Sequence, residues 1–124
     1  MRLASRPAPA VLLRRESHTV VCERCFVADN PLARLRGMLG RKEPAPGEGL
    51  LLKPTAAVHT CFMRFPIDVV FLDSELRVVG LTTDLKPWRG AARRGARSVL
   101  ELRAGESRLR QIEIDDELVL VPSG

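Results

Sequence analysis

Apolar positions along this chain come mostly in short runs broken by polar turns, the spacing of strands rather than helices. Val11-Leu12-Leu13 and the longer run from Thr19-Val20-Val21-Cys22 to Phe26-Val27 read as a strand pair, with Glu16-Ser17-His18 as the turn between them. The pattern then changes period. Asp29-Asn30-Pro31 offers a polar cap followed by proline at the first helical position, where its missing N–H is not needed. Leu32, Leu35 and Leu39 fall on one face of the helix this predicts, with Arg34 and Arg41 pointing elsewhere and Gly40 as the stop. Gly37 lies inside that pattern, where it lowers helix stability and marks a close approach to another backbone. Residues 42–49 form a loop by composition, and Leu50-Leu51-Leu52 reads as a short buried strand.

The chain is organised around residues 58–73, which hold Phe62, Phe65 and Phe71, three of its four phenylalanines. Pro66 splits this stretch into two short strands with a kink, because proline donates no ladder hydrogen bond and holds its own φ. Asp73-Ser74-Glu75 is a hairpin turn into a strand over 76–83. Residues 84–97 are a loop, residues 98–102 another strand, and Ala104-Gly105-Glu106 leads into one helical turn. The tail reads as two apolar pieces, one ending at Ile114 and one beginning at Leu118, around an acidic turn. With seven or so short strands and one main helix, the expectation is an α+β, β-rich compact domain whose small sheet is barrel-like and partly closed. A flexible leader over residues 1–10 would precede a single globular domain over 11–124.

Charge adds one feature. The net charge is +5, and of 20 basic residues only Lys42, Lys53 and Lys86 are lysine. Arginine holds carboxylates and phosphates in bidentate geometry, so this bias suits an acidic partner or nucleic acid as well as a solvated surface. No apolar stretch has the length of a signal-peptide core or a membrane span, so a cytoplasmic location without membrane insertion is expected. Three cysteines, an odd number, do not make a disulfide framework in such a compartment.

Candidate chemistry sits in four places. In a strand, His59, Cys61 and Met63 would share a face as imidazole, thiol and thioether donors; packing in the core is the competing reading and the favoured one, so no metal is assigned. Cys22 and Cys25 have metal or redox spacing without a second pair, and a strand would put them on opposite faces as inert thiols. Asp68, among Ile67, Val69 and Val70, must be paired or sit at an opening of the core. Arg36 or Arg64 would pair with it; alternatively Asp68, His59 and Arg64 would form the polar floor of a pocket. Trp88, the only tryptophan, lies in Lys86-Pro87-Trp88-Arg89, either as a lid over that pocket or as a stacking platform.

Several of these motifs together resemble the family known as domain of unknown function 192. They are 34–41 (Arg-Leu-Arg-Gly-Met-Leu-Gly-Arg), 49–52 (Gly-Leu-Leu-Leu), His59-Thr60 with 62–73, 85–89 (Leu-Lys-Pro-Trp-Arg) and 99–105 (Val-Leu-Glu-Leu-Arg-Ala-Gly). The resemblance spans roughly residues 18–121 and implies a compact β-rich α+β domain with one principal helix and no established reaction. The chain departs from it at Cys61, where the family usually has an aromatic residue, and at Asp115-Asp116, where it usually has glycine before the aspartate.

The function expected from the sequence is a noncatalytic accessory module that binds a protein or small-molecule partner through His59, Arg64, Asp68, Trp88 and Arg89, with no cofactor. Arg36, Gly37 and Pro66 are assigned structural roles. Two alternatives stand beside it: nucleic-acid binding through the basic loop at Arg89, Arg93, Arg94 and Arg97, and a hydrolytic or metal-dependent enzyme using His59 and Asp68.

Overall fold

The structure, a computed structural model, describes residues 9–29 and 42–123. The helix expected after Asp29, with Arg36 and Gly37, lies outside the described residues, as does most of the expected leader. Among the described residues, nine strands and one short helix follow in order: β1 (Ala10–Arg14), β2 (Val20–Ala28), β3 (Glu48–Leu52), β4 (Ala57–His59), β5 (Ile67–Leu72), β6 (Val78–Leu85), β7 (Gly90–Ala92), β8 (Ser98–Arg103), α1 (Glu106–Leu109) and β9 (Leu118–Pro122).

Seven strands form one mixed sheet in the order β6-β5-β8-β3-β2-β1-β9, and β4 pairs with β7 in a separate two-stranded sheet. In the large sheet β2 and β3 run parallel and the other neighbours antiparallel. The fold is therefore α+β and β-rich, but the sheet is not closed into a barrel. Its edge strands are tied at one end, where Arg77 and Glu117 form a single bridge and Val78 donates to the Asp116 carbonyl at 2.9 Å. Asp115, standing where glycine is usual, holds φ at 76° in this tie and donates to the Val78 carbonyl at 2.8 Å. Aspartate tolerates the left-handed region better than most residues, which makes the substitution workable.

All six residues of β5 are buried, because its two faces look onto different cores. Val70 and Leu72 join Leu51, Leu100 and Leu102 on one side; Ile67, Val69 and Phe71 join Val99 and Leu85 on the other. Alternate strand residues point to opposite faces, so an unbroken apolar run here signals burial on both. The small β4–β7 sheet lies over the second core, with Val58 and Ala91 packed against it. That sheet is what positions the candidate site.

Cys22 and Cys25 correct the expectation of opposite faces. Both are fully buried in the first core, and β1 registers Leu12 on Cys22 but Ala10 on Cys25. Two residues of β1 thus span three of β2, a bulge that rotates both thiols inward. Cys22 donates to the Gly47 carbonyl at 3.4 Å, while its hydrogen bond with Cys25, together with burial, pushes the Cys25 thiol well above the usual range. Cys25 is therefore protonated and poorly nucleophilic, whereas the hydrogen bond with Cys25 holds the Cys22 thiol below the usual range.

Glu23, on the outward side of β2, accepts both guanidinium nitrogens of Arg110 at 2.9 and 2.7 Å, which holds its carboxyl below the ordinary range. The unfolded chain therefore binds more protons at acid pH, so this contribution is present above the ordinary carboxylate range and is lost as pH falls through Glu23's lowered value. Glu23→Gln is expected to lower stability modestly at neutral pH and to leave it unchanged in acid, which flattens the acid limb by the same amount; the effect is small because the Glu23 side chain is about half exposed. Urea midpoints measured at successive pH values would check this; an unchanged acid limb would remove the pair from the account.

Candidate functional site

Asp68 is only 1% exposed, and its carboxyl group is fully occupied. Oδ1 accepts the Asp84 N–H at 2.9 Å; Oδ2 accepts the N–H groups of Gly105 and Ser107 at 3.0 Å each and the Ser107 hydroxyl at 2.6 Å. Gly105, at φ 96°, is the N-terminal cap of α1 and has no side chain with which to cap it. Asp68 supplies that cap from the neighbouring strand, satisfying donors that a helix start leaves orphaned. Its partners are N–H and O–H groups, which corrects the expected ion pair with Arg64; Arg64 is exposed, and Arg36 lies outside the described residues. By holding Asp84, Asp68 also anchors the end of β6 from which the Trp88 turn departs.

The expected strand through residues 59–63 is a turn after β4. Its pivot is Thr60, fully buried between two segments. The Thr60 hydroxyl donates to the Lys86 carbonyl at 2.6 Å and accepts the Arg89 N–H at 2.9 Å, while its backbone N–H donates to the Arg89 carbonyl at 2.8 Å. Its carbonyl accepts the N–H groups of both Met63 and Trp88, each at 3.1 Å. One residue thus binds the 61–65 turn to the 86–89 turn. The β4–β7 ladder continues the joint, placing His59 opposite Gly90.

Two aromatic rings stand on this joint. Phe62 is 67% and Trp88 57% exposed, with ring centroids 4.8 Å apart and planes tilted by 60°. Both residues hold positive φ, 69° and 63°. Met63 and Phe65, by contrast, turn inward to the second core. The geometry separates the expected soft-donor trio: His59 is exposed, Cys61 partly so, and Met63 buried. The His59 Nδ1 accepts the Cys61 N–H at 3.3 Å, and among the described residues no group of three or more His, Cys, Asp or Glu could hold a metal ion.

His59, Trp88 and Arg89 are therefore brought together by the paired turns, with the exposed Arg64 in the same 61–65 segment as Phe62. Arg64 and Arg89 make no ion pair among the described residues, whereas Lys86 is held by Asp84 at 2.7 Å. His59 and Asp68 hydrogen-bond to different segments and do not form an acid–base pair. Of the basic loop, Arg93 and Arg97 have different surroundings. The Arg93 guanidinium lies across Gly80, filling the space a side chain would take, while Arg97 borders a cavity beside β3 and β9. Phe62 and Thr60 were not singled out by the sequence: an aromatic inside an apolar run reads as core, and the positive φ that turns Phe62 outward leaves no compositional trace.

The profile of the family described as "Uncharacterized ACR", domain of unknown function 192, matches residues 11–120. The chain is 35% identical over 99 residues to a UPF0127 protein of Pyrococcus abyssi, covering 74% of this chain and 81% of that one. It is 38% identical over 98 residues to a UPF0127 protein of Pyrococcus furiosus, covering 73% and 81%. In fold it is similar to the crystal structure of a protein of unknown function from Novosphingobium aromaticivorans, with a TM-score of 0.74 and 20% identity over 90% of this chain and 83% of that one. It is also similar to one from Sinorhizobium meliloti, named provisionally as a transcription regulator, with a TM-score of 0.81 and 22% identity over 94% and 96%. At these identities the two structures speak to fold alone.

Proposed function

Starting from the fact that the chain belongs to the domain of unknown function 192 family, we propose that it is a noncatalytic accessory module that takes an acidic polypeptide on the Phe62–Trp88 face. The observation that carries this is the exposed ring pair held on two backbones in the left-handed region. Such backbone costs on the order of 1–3 kcal/mol per residue, and persists where the surroundings over-determine it. The Thr60 network does so here, and its effect is to present two large apolar rings to solvent. Tryptophan and arginine are enriched among the residues that dominate protein interfaces. Arg64 and Arg89, free of ion pairs among the described residues, give the face its preference for carboxylates. His59 borders it, and Asp68 supports it from below by fixing Asp84.

Because Trp88 is the only tryptophan, its fluorescence reports on this face directly. Titration with a synthetic peptide of alternating aspartate and leucine is expected to shift its emission to shorter wavelength as the indole is covered. The shift should weaken with added salt and in Arg64→Ala and Arg89→Ala. A response to oligothymidylate but not to the peptide would replace this reading with nucleic-acid stacking; no response to either would refute the face as a binding surface.

A further inference from the structure

A cavity of about 590 Å³ opens between β3, the β5–β6 hairpin and β9. It includes none of His59, Arg64, Asp68, Trp88 or Arg89. Its size falls in the range of small-molecule sites. Leu51, Leu76, Val119 and Leu120 give it an aliphatic wall. Lys53 and Arg97 border it with two positive charges, and neither makes an ion pair among the described residues. Asp29 and Asp73 border it with two negative ones. One oxygen of Asp73 is committed to the hairpin, accepting the N–H groups of Glu75 and Arg77 at 2.9 Å each.

A lone anion would meet two carboxyl groups here, and a lone cation would meet Lys53 and Arg97. Charges of both signs around an aliphatic wall match a ligand that carries both signs on an aliphatic body.

We propose that this cavity binds a small aliphatic zwitterion, with the chemistry of a branched-chain amino acid or a short aliphatic peptide, its carboxylate between Lys53 and Arg97 and its ammonium toward Asp29 and Asp73. This site is separate from the Phe62–Trp88 face, so either can fail without the other.

Methyl NMR spectra of the full chain test it, with L-leucine, leucyl-leucine, isovalerate and isoamylamine added in turn. Saturable shifts at Leu51, Leu76, Val119 and Leu120 are expected with leucine, the dipeptide or both, and whichever binds tighter identifies the source. The two singly charged analogues should bind at least about tenfold more weakly, since each leaves one pair of charges unanswered. Arg97→Gln, an exposed side chain outside both cores, should weaken binding about tenfold. Absence of shifts with every compound, or equal binding of all four, would overturn the proposal.

Discussion

Asp68→Ala should lower the free energy of urea unfolding by about 4 kcal/mol, the largest effect expected of any single polar substitution here. The side chain accepts from three backbone N–H groups and one hydroxyl, in surroundings where water replaces it poorly. Removing the acceptor orphans donors at the start of α1 and at the end of β6 together, and each buried orphan costs about 1–3 kcal/mol. For a domain whose total stability is about 5–15 kcal/mol, that is a large share. Asp68→Asn keeps the shape but turns an NH2 group toward donors, so about half the loss is expected. Unfolding curves with an unchanged denaturant slope would confirm the assignment; a loss below about 1 kcal/mol for Asp68→Ala would mean that other groups hold α1 and the Trp88 turn.

The second large effect belongs to Thr60→Val, which preserves volume and removes only the hydroxyl. The Lys86 carbonyl and the Arg89 N–H then lose their shared partner, at a cost of about 2 kcal/mol. More telling is where the loss appears. The hydroxyl joins the two turns that carry Phe62 and Trp88, so the ring pair should loosen while the large sheet stays formed. Trp88 fluorescence anisotropy should fall in the variant with little change in far-ultraviolet circular dichroism. An unaltered anisotropy would show that the β4–β7 ladder alone fixes the rings.

Elements with a strong local signal were legible in the sequence. The β1–β2 pair, β3, the β5–β6 hairpin, β8 and the helical turn at α1 follow from apolar runs and the polar turns between them. What was not legible depends on partners distant along the chain. Gly90-Ala91-Ala92 has no strand propensity and forms β7 because Ala57-Val58-His59 lies beside it. The inward rotation of both Cys22 and Cys25 needs a bulge that pairing with β1 creates. The acidic tail turn ties the sheet's edges through single hydrogen bonds that no hydropathy pattern records. At the candidate site, the segments were found and the roles of two residues were not. A carboxyl group amid apolar neighbours was recognised as needing partners, but those partners, Gly105 and Ser107, come from a helix start 37 and 39 residues away. Phe62 is not singled out by the sequence because hydropathy cannot distinguish a ring turned outward by left-handed backbone.

Among the described residues no helix is long and apolar enough to cross a membrane, and the positive charge not held in ion pairs includes Arg64 and Arg89 beside the ring pair. This juxtaposition is the core of the functional account, and it predicts contact at one face. The most direct measurement places a photo-crosslinking amino acid at position 62 in living cells, with the same group at the exposed position 108 on α1 as reference. The account predicts a discrete protein adduct from position 62 that survives nuclease, is absent from position 108, and is lost when Arg64 and Arg89 are both replaced by alanine. Equal adducts from both positions, a nuclease-sensitive adduct, or none from position 62 would contradict it.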